Sequence, residues 1–597
     1  MIKSVIVLFV VLALCPVFGQ GLITNIGGRN LFNLDGKWQV LIDPYENGYY
    51  DYRSTPSANG FFKNEKPKNK WDHIEYDFDK SFSLNVPGDW NTQRPELFFY
   101  EGTVWYKKSF DYTIHPKGRQ FLYFGAVNYQ AVVYLNGEKV GEHQGGFTPF
   151  NFEVTGKLKE KDNFVVVKAD NRRSREYVPT LNTDWWNYGG ITRSVYIVEE
   201  PETFIKDYLI QLSKGSQNDI SGNVLIDGKE KNLSVTISIP ELSIKREVKI
   251  DKDGYGEFII KTNPVLWSPE NPKLYNVQIS TPYESLKEKI GFRSVEVKGN
   301  EIFLNGKSIF LRGISIHEEA PVRTGRANSA ADADSLLGWA RELGCNYVRL
   351  AHYPHNENMV RAADKMGILV WSEIPVYWTI DWDNKTTLAN ALKQLDEMIS
   401  RDKNRSSIIL WSVANETPVG ASRNEFLKTL LKRAKELDPD RLLTAAMERH
   451  YTDEFTQKID DPLGEFVDVI GCNEYIGWYD GLAEKADKIK WECIYNKPLI
   501  MSEFGGEALY GYHADTKTSW SEENQDDIYK HQIGMLKKIS ILRGMSPWIL
   551  MDFRSPRRQL PGMQDYFNRK GLISEKGEKK TAFYTLQKFY EEKKSAK

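Results

Sequence analysis

The chain has 597 residues, which is too long for one hydrophobic core and predicts several domains. Hydrophobic residues make up 41% of it and charged residues 27%, as in globular proteins. The formal net charge of -2 offers no general attraction to nucleic acid or to an anionic membrane surface, so we expect no nucleic-acid partner.

The first predicted element is an export signal in residues 1 to 19. Lys3 precedes an apolar run that ends at Val17, Phe18 and Gly19, with small residues at the two positions that a signal peptidase reads. The run is too short for a stable membrane span, and no later segment is apolar for long enough. We therefore expect an exported protein, periplasmic or extracellular. The alternative is a lipid anchor on Cys15, although Leu14 and Pro16 beside it fit that motif poorly.

Three cysteines follow the expected cleavage site, namely Cys345, Cys472 and Cys493. They have neither CxxC nor metal-finger spacing, so we expect buried thiols.

Two β-rich regions follow the signal. Residues 20 to 199 contain alternating runs such as FLYFGAV (121 to 127), QAVVYLNG (130 to 137) and NFVVVKA (163 to 169), separated by Gly, Asn and Asp turns. That spacing predicts a β-sandwich. Residues 200 to 298 carry further short strands within a smaller region, whose size predicts an immunoglobulin-like sandwich.

The periodicity changes in residues 299 to 597, where apolar strand-like runs alternate with amphipathic helical segments. Eight parallel strands in about 300 residues predict a TIM barrel. The eight runs are 308–317, 346–352, 368–375, 408–416, 442–447, 468–475, 498–504 and 544–550.

Polar residues end most of these runs, and a TIM barrel places its active site at the carboxyl ends of its strands. Carboxylates in such positions are costly to bury unless they are paired, hydrogen-bonded or used in chemistry. The residues at these ends are His317, His352, Glu373, Asn415, Glu416, Asn473 to Tyr475, and Glu503.

Glu416 and Glu503 end the fourth and seventh runs and form a candidate catalytic pair. One carboxyl group can protonate a glycosidic oxygen while the other attacks the anomeric carbon, a double displacement that needs a separation of about 5 to 5.5 Å. The alternative is structural, with these carboxylates forming salt bridges to Arg349 or Arg312.

Glu416 lies in the segment WSVANET (411 to 417) and Glu503 in the segment IMSEFGG (500 to 506). These segments resemble the acid/base and nucleophile motifs of glycoside hydrolase family 2, which contains β-galactosidases, β-glucuronidases and β-mannosidases. VPGDW (86 to 90) and GEHQGGFTPF (141 to 150) are similar to its jelly-roll sugar-binding domain, and WSPENPKLY (267 to 275) is similar to its immunoglobulin-like domain. The matches occur in order across nearly the whole chain after the export signal.

The resemblance implies a role for each matched residue. Glu416 is the implied acid/base, Asn415 the partner of the sugar 2-hydroxyl, and Glu503 the nucleophile. NEYIGWY (473 to 479) is similar to a β-glucuronidase segment, which implies that Tyr475 lies against Glu503 and Tyr479 beside the substrate. Trp548, at the end of the eighth run, is expected to form a wall of the sugar pocket.

The loop after the eighth run indicates which sugar is bound. Asn568-Arg569-Lys570 looks like the Asn-x-Lys motif of β-glucuronidases, which implies that Asn568 and Lys570 bind a uronate carboxylate. The arginine that precedes this motif in β-glucuronidases is replaced by Gln564, so we expect Arg557 or Arg558 to supply that charge. In the alternative, the basic loop only faces solvent or a subunit contact.

Two further expectations concern the substrate. NTDWWNYGGITRS (182 to 194) resembles the segment that reaches the barrel, which places Asp184 near the sugar 4-hydroxyl. The aromatic loop 374 to 386 is expected to frame the leaving group.

The sequence thus predicts a retaining exo-β-glycosidase that acts on terminal β-D-glucuronides. Other family-2 activities remain open, namely a β-galactosidase or another β-uronidase such as a β-galacturonidase, and so does a non-catalytic carbohydrate-binding scaffold. The expected partner is a carbohydrate, with a homo-oligomer possible. No cofactor or metal is expected, since the histidines of HYPH (352 to 355) lie at a strand end without a ligand set.

Overall fold

The computed structural model describes residues 21 to 115 and 118 to 595. Within them, the first domain is a sandwich of two antiparallel sheets, as the alternating runs predict. One sheet has four strands, Asn30–Asn33, Gly118–Phe124, Phe150–Glu153 and Val195–Pro201. The other has six, Gly36–Ile42, Ser83–Val86, Thr103–Phe110, Gln130–Leu135, Glu138–Gln144 and Asn163–Asp170.

A smaller sandwich follows, with the seven strands of an immunoglobulin-like unit. Its three-stranded sheet contains Phe204–Leu212, Asp219–Asp227 and Tyr255–Lys261. Its four-stranded sheet contains Ser234–Ile239, Ile244–Lys249, Tyr275–Ser280 and Ser285–Ile290. A short antiparallel sheet then leads into the third domain through Val295–Lys298, Glu301–Leu304 and Lys307–Ser308.

The third domain is a closed barrel of eight parallel strands, which confirms the predicted fold. Its strands are buried along most of their length, because helices cover the outside and side chains fill the interior. Numbered barrel strands 1 to 8, they are Leu311–Ile316, Tyr347–Leu350, Leu369–Glu373, Ile408–Asn415, Leu442–Met447, Ile470–Asn473, Leu499–Glu503 and Leu542–Met545. Each lies within or overlaps one of the eight predicted runs.

Six long α-helices accompany the barrel, and four of them begin at a Ser or Asn whose side chain caps the first turn. Ser329, for example, caps the first of them through a capping box with Asp332. The helices are Ala330–Glu342, Glu357–Met366, Lys385–Asp402, Ala421–Leu437, Glu522–Leu536 and Thr581–Ser595.

The expected alternation of strand and α-helix is broken in two connections. Between barrel strands 5 and 6 lie the hairpin His450–Asp453 and Thr456–Ile459 and the short 3-10 helix Pro462–Glu465, and between strands 6 and 7 lies the 3-10 helix Ala483–Lys488. The strand Lys490–Cys493 later joins the hairpin in one three-stranded sheet. Pro462 and Gly464 disfavour a long helix here.

The first sandwich packs against the carboxyl end of the barrel. Phe147 and Trp185 from the sandwich share a buried cluster with Tyr353, Tyr377 and Trp548 from the barrel. The sandwich therefore forms part of any site at this end.

The three cysteines that follow the predicted export signal are free thiols with different degrees of burial. Cys345 and Cys472 are buried free thiols, as expected, whereas Cys493 is half-buried. Across residues 21 to 115 and 118 to 595, no helix is long and apolar enough to span a membrane. The export signal in residues 1 to 19 and the alternative anchor at Cys15 lie outside the described residues.

Candidate active site

Glu503 ends barrel strand 7 and is held by donors on both carboxylate oxygens. Arg349 Nη1 donates to Oε1 over 2.7 Å, and the Tyr475 hydroxyl donates to Oε2 over 2.6 Å. Burial raises the pKa of Glu503 above its ordinary value, and the charge of Glu416 adds to this rise. The Arg349 guanidinium and the Tyr475 hydroxyl act in the opposite direction, because they favour the ionised carboxylate.

Glu416 directly follows barrel strand 4 and has neutral hydrogen-bond partners. Asn473 Nδ2 donates to Oε1 and the Trp378 indole N–H donates to Oε2, each over 3.0 Å. Its φ of 47° lies in the left-handed region, which non-glycine residues occupy mainly at turns and functional sites. The two glutamates thus have contrasting surroundings, one held by a cation and the other by amide and indole donors.

A buried network at the ends of barrel strands 2, 3 and 4 supports this pair. Arg349 Nη2 donates to Glu373 Oε1 over 3.0 Å and to Asn415 Oδ1 over 2.7 Å. Burial acts against ionisation of Glu373, but Arg349 and His352 outweigh it and lower the pKa of Glu373 to about 2. The Asn415 side-chain oxygen is therefore occupied, whereas its buried amide nitrogen has no hydrogen-bond partner. That nitrogen can donate to a ligand.

Lys570, from the predicted uronate motif, is buried and already paired with a carboxylate. Its ammonium group donates to the Tyr479 hydroxyl over 2.7 Å and to Glu507 Oε1 over 3.1 Å. Gln564 Nε2 donates to Glu507 Oε2 over 3.0 Å. Burial acts against the charge of Glu507, but Lys570 and Arg558 lower its pKa to about 2, so it is an anion. Lys570 retains one N–H for a further acceptor.

Asp184 from the first sandwich is bound by the loop that follows barrel strand 8. The Ser555 hydroxyl donates to Oδ1 over 2.6 Å, and Asn568 Nδ2 donates to Oδ2 over 3.1 Å. Arg558 forms an ion pair with the same carboxylate. This loop includes a short hairpin, Phe553–Arg554 paired with Phe567–Asn568, which holds these donors in place.

Aromatic and histidine side chains form one wall of the candidate site, next to the two glutamates. Trp548 stacks on His352 with ring centroids 4.8 Å apart, and Trp185 meets Tyr377 edge to face at 5.0 Å. Trp548 lies beyond barrel strand 8, which ends at Met545, and not at its end as the sequence suggested. His317 Nδ1 contacts the Tyr353 hydroxyl over 3.0 Å, while its buried Nε2 has no partner.

The two candidate arginines of the loop lie in different places. Arg558 joins Asp184 and lies 3.4 Å from Glu507, so it belongs to the Lys570 cluster. Arg557 is exposed and its guanidinium lies 4.9 Å from the centre of the Trp378 ring, on the Glu416 side. The structural alternative for the catalytic pair holds in part, since Arg349 binds Glu503, whereas Arg312 donates to the carbonyl of Gly344.

Two residues of the site were not identified from sequence. Glu507 lies only four residues after Glu503. Its position in the loop that follows a barrel strand could have identified it as a candidate site residue. Trp378 lies in the aromatic loop 374 to 386, but nothing local indicates its bond to Glu416. In the described part of the chain, no group of three or more potential ligands is arranged to hold a metal ion.

The chain belongs to glycosyl hydrolases family 2. Residues 295–594 match the family's TIM barrel domain, residues 31–201 its sugar binding domain, and residues 203–293 a further family-2 domain. The protein is therefore a glycoside hydrolase with the three-domain architecture of that family.

Similar proteins give a more particular comparison. A putative β-glucuronidase of Formosa agariphila is 28% identical over 565 residues, which cover 85% of this chain and 66% of that protein. A β-glucuronidase of Paenibacillus borealis is 26% identical over 94% of this chain and 96% of its own length. The solved structure of a Ruminococcus gnavus β-glucuronidase with an N1-substituted uronic isofagomine has a TM-score of 0.79 and 25% identity, covering 95% and 99% of the two chains.

Proposed function

We propose that the protein is a retaining exo-β-glycosidase that removes terminal β-D-glucuronic acid. The observation that carries this proposal is the position of Glu503, whose neighbour Tyr475 packs under the Lys570 ammonium group at 5.4 Å from the ring centre. Tyr475 therefore contacts both the proposed nucleophile, Glu503, and Lys570, the residue predicted to bind the uronate carboxylate.

In the proposed mechanism, the ionised Glu503 carboxylate attacks the anomeric carbon while protonated Glu416 gives its proton to the departing oxygen. The resulting glycosyl ester on Glu503 is hydrolysed by water, from which Glu416 then takes a proton. Arg349 and Tyr475 orient Glu503, and the free Asn415 amide N–H is directed to the sugar 2-hydroxyl. His317 and Trp548 would line the sugar pocket.

The predicted recognition of the uronate involves Asn568, Lys570 and Tyr479, with Asp184 at the 4-hydroxyl. Asp184 is bound by three side chains of the loop after barrel strand 8, which supports closure of the pocket at the non-reducing end and hence exo action. The relatives named β-glucuronidase support the same substrate class.

One observation favours a neutral sugar as the second candidate. Lys570 and Arg558 are balanced by Glu507 and Asp184 before any substrate binds, and Gln564 stands where β-glucuronidases have an arginine. A β-galactosidase needs no uncompensated cation in this position. A β-galacturonidase differs from the leading proposal only in the orientation of the sugar 4-hydroxyl.

The test compares hydrolysis of the nitrophenyl β-D-glucuronide, β-D-galacturonide and β-D-galactoside. We expect the glucuronide to have the highest kcat/KM. Lys570→Ala should lower that value by roughly 10- to 100-fold, the cost of losing a hydrogen bond from a charged group. Lys252→Ala, in an exposed turn of the second sandwich, is the matched control. Preference for the galactoside, or unchanged glucuronide turnover in Lys570→Ala, would refute the proposal.

We also propose export through residues 1 to 19, with cleavage after Gly19. Amino-terminal sequencing of the protein from cells that express the full chain should begin at Gln20. An amino terminus at Met1 would contradict export, and a lipid-modified terminus at Cys15 would support the alternative anchor.

A further inference from the structure

The space for the leaving group is defined by Glu416, because in the proposed mechanism this residue protonates the glycosidic oxygen. The Trp378 indole N–H binds Glu416 Oε2 over 3.0 Å, so the Trp378 ring borders that space. Trp378 is half-buried, which leaves part of its ring open to contact. Whatever group departs from the sugar must therefore pass beside this ring.

Arg557 adds a positive charge to the same place. Its guanidinium lies 4.9 Å from the centre of the Trp378 ring, which is a cation-π contact. Its backbone N–H is bound by the Ser555 hydroxyl over 3.3 Å, which ties it to the loop that holds Asp184. The side chain is nevertheless exposed.

No carboxylate of the described residues forms an ion pair with Arg557. Asp381 and Asp383, on the same loop as Trp378, make none with it. Three other cations of the site do have counter-ions: Arg349 binds Glu373 and Glu503, Arg558 binds Asp184, and Lys570 binds Glu507.

Glu448 is a further carboxylate whose charge interacts with that of Glu416, and its pKa is raised on balance. Burial and the charge of Glu416 raise the pKa of Glu448, while Arg423 and Arg449 lower it. Arg557 thus differs from Arg349, Arg558 and Lys570 in lying at the leaving-group side without a protein counter-ion.

We propose that Trp378 and Arg557 form a subsite for an anionic leaving group, that is, a sugar or conjugate carrying a sulfate or a carboxylate next to the scissile bond. The inference rests on the proposed function and extends it to the leaving group. The exposed part of the Trp378 ring contacts the group, and the Arg557 guanidinium binds its oxyanion with the paired N–H donors that suit both anions.

The test uses two pairs of aryl β-D-glucuronides that differ mainly in charge. The 4-sulfophenyl glucuronide is compared with the 4-sulfamoylphenyl glucuronide, and the 4-carboxyphenyl with the 4-carbamoylphenyl glucuronide. For each pair, the ratio of kcat/KM for the anionic to the neutral substrate is measured in the wild type and in Arg557→Gln at low ionic strength. Intrinsic reactivity of each leaving group is common to both enzymes and cancels between their ratios.

We expect the wild-type ratio to exceed that of Arg557→Gln by about fivefold in at least one pair, the size expected of a partly exposed ion pair. The pair with the larger effect identifies the anion. The effect should shrink as salt is added, because ions screen exposed charges. Arg246→Gln, which removes the same charge from an exposed strand of the second sandwich, should retain the wild-type ratio.

Ratios that agree within about twofold between wild type and Arg557→Gln in both pairs would overturn the subsite. An equal change in Arg246→Gln would also overturn it, because the effect would then reflect net charge. If the enzyme hydrolyses no glucuronide, the proposed function fails, and the subsite is tested with the corresponding four aryl β-D-galactosides by the same ratios.

Discussion

Burial and the neighbouring side chains together set the pKa of Glu503, the proposed nucleophile. A structural salt bridge and a catalytic nucleophile were alternative interpretations of Glu503. The salt bridge to Arg349 is compatible with both, because it also favours the ionised carboxylate that a nucleophile needs. Arg349 binds only Oε1, and Tyr475 binds Oε2, so the carboxylate is oriented and its charge is favoured. Burial opposes that charge and raises the pKa of Glu503. The acid side of the pH profile should report this balance.

Tyr475→Phe should move the acid limb of the kcat/KM profile to higher pH. The phenol donates to the ionised carboxylate and thereby lowers the pKa of Glu503, so its removal raises that pKa. Activity requires ionised Glu503 and is lost as the pH falls through this pKa, and a higher pKa brings the loss at higher pH.

The measurement for Tyr475→Phe is kcat/KM across the acidic range with the nitrophenyl glucuronide. Tyr283→Phe removes the same hydroxyl from the second sandwich and should leave the limb in place. If the acid limb of Tyr475→Phe stays in place or moves to lower pH, the phenol does not favour the ionised state of Glu503.

The site residues that could be predicted from the sequence are those that directly end or follow barrel strands. Apolar runs that end in acids and amides are a strong local signal, and this signal identifies Asn415, Glu416 and Glu503. It does not identify Glu507 and Trp378, because they lie within loops whose conformation depends on distant contacts. The neutral replacement at Gln564 was visible in the sequence, but its bond to Glu507 was not.

Among the elements, the eight barrel strands were predictable because strands buried on both faces read as nearly continuous apolar runs. The hairpin in place of a helix after barrel strand 5 was not distinguished from the general alternation of strands and helices. The sequence shows that the loop after barrel strand 8 is basic. It does not show that the two candidate arginines of this loop point to different parts of the site. Arg558 is turned toward Asp184 and Arg557 toward Trp378, although they are adjacent in sequence.

This division gives the loop two functions in the proposed enzyme. Arg558 and Asn568 contact Asp184 and Lys570 contacts Glu507, whereas Arg557 lies against Trp378 at the proposed leaving-group subsite. The short hairpin Phe553–Arg554 and Phe567–Asn568 positions both ends of the loop. Specificity for the sugar and for the leaving group can therefore change separately.

In the whole molecule, the site is shared between the first sandwich and the barrel. Asp184 is 371 residues from Ser555 and 384 from Asn568 in sequence, yet it accepts hydrogen bonds from both. Periodicity and turn signals describe local structure and do not reveal such contacts. The family resemblance supplied the expectation that this segment reaches the barrel, and the shared cluster of Phe147, Trp185, Tyr353 and Trp548 shows how the two domains meet.

In the proposed mechanism, Glu503 forms a glycosyl ester during turnover. Inactivation with 2-deoxy-2-fluoro-β-D-glucuronyl fluoride, in which fluorine slows hydrolysis of the ester, followed by peptide mass mapping, tests this step. We predict one added 2-fluoroglucuronyl group on the peptide that contains Glu503, and none in Glu503→Ala. A label on Glu416 or Glu373, or release of fluoride from the active enzyme with no covalent adduct, would contradict the mechanism.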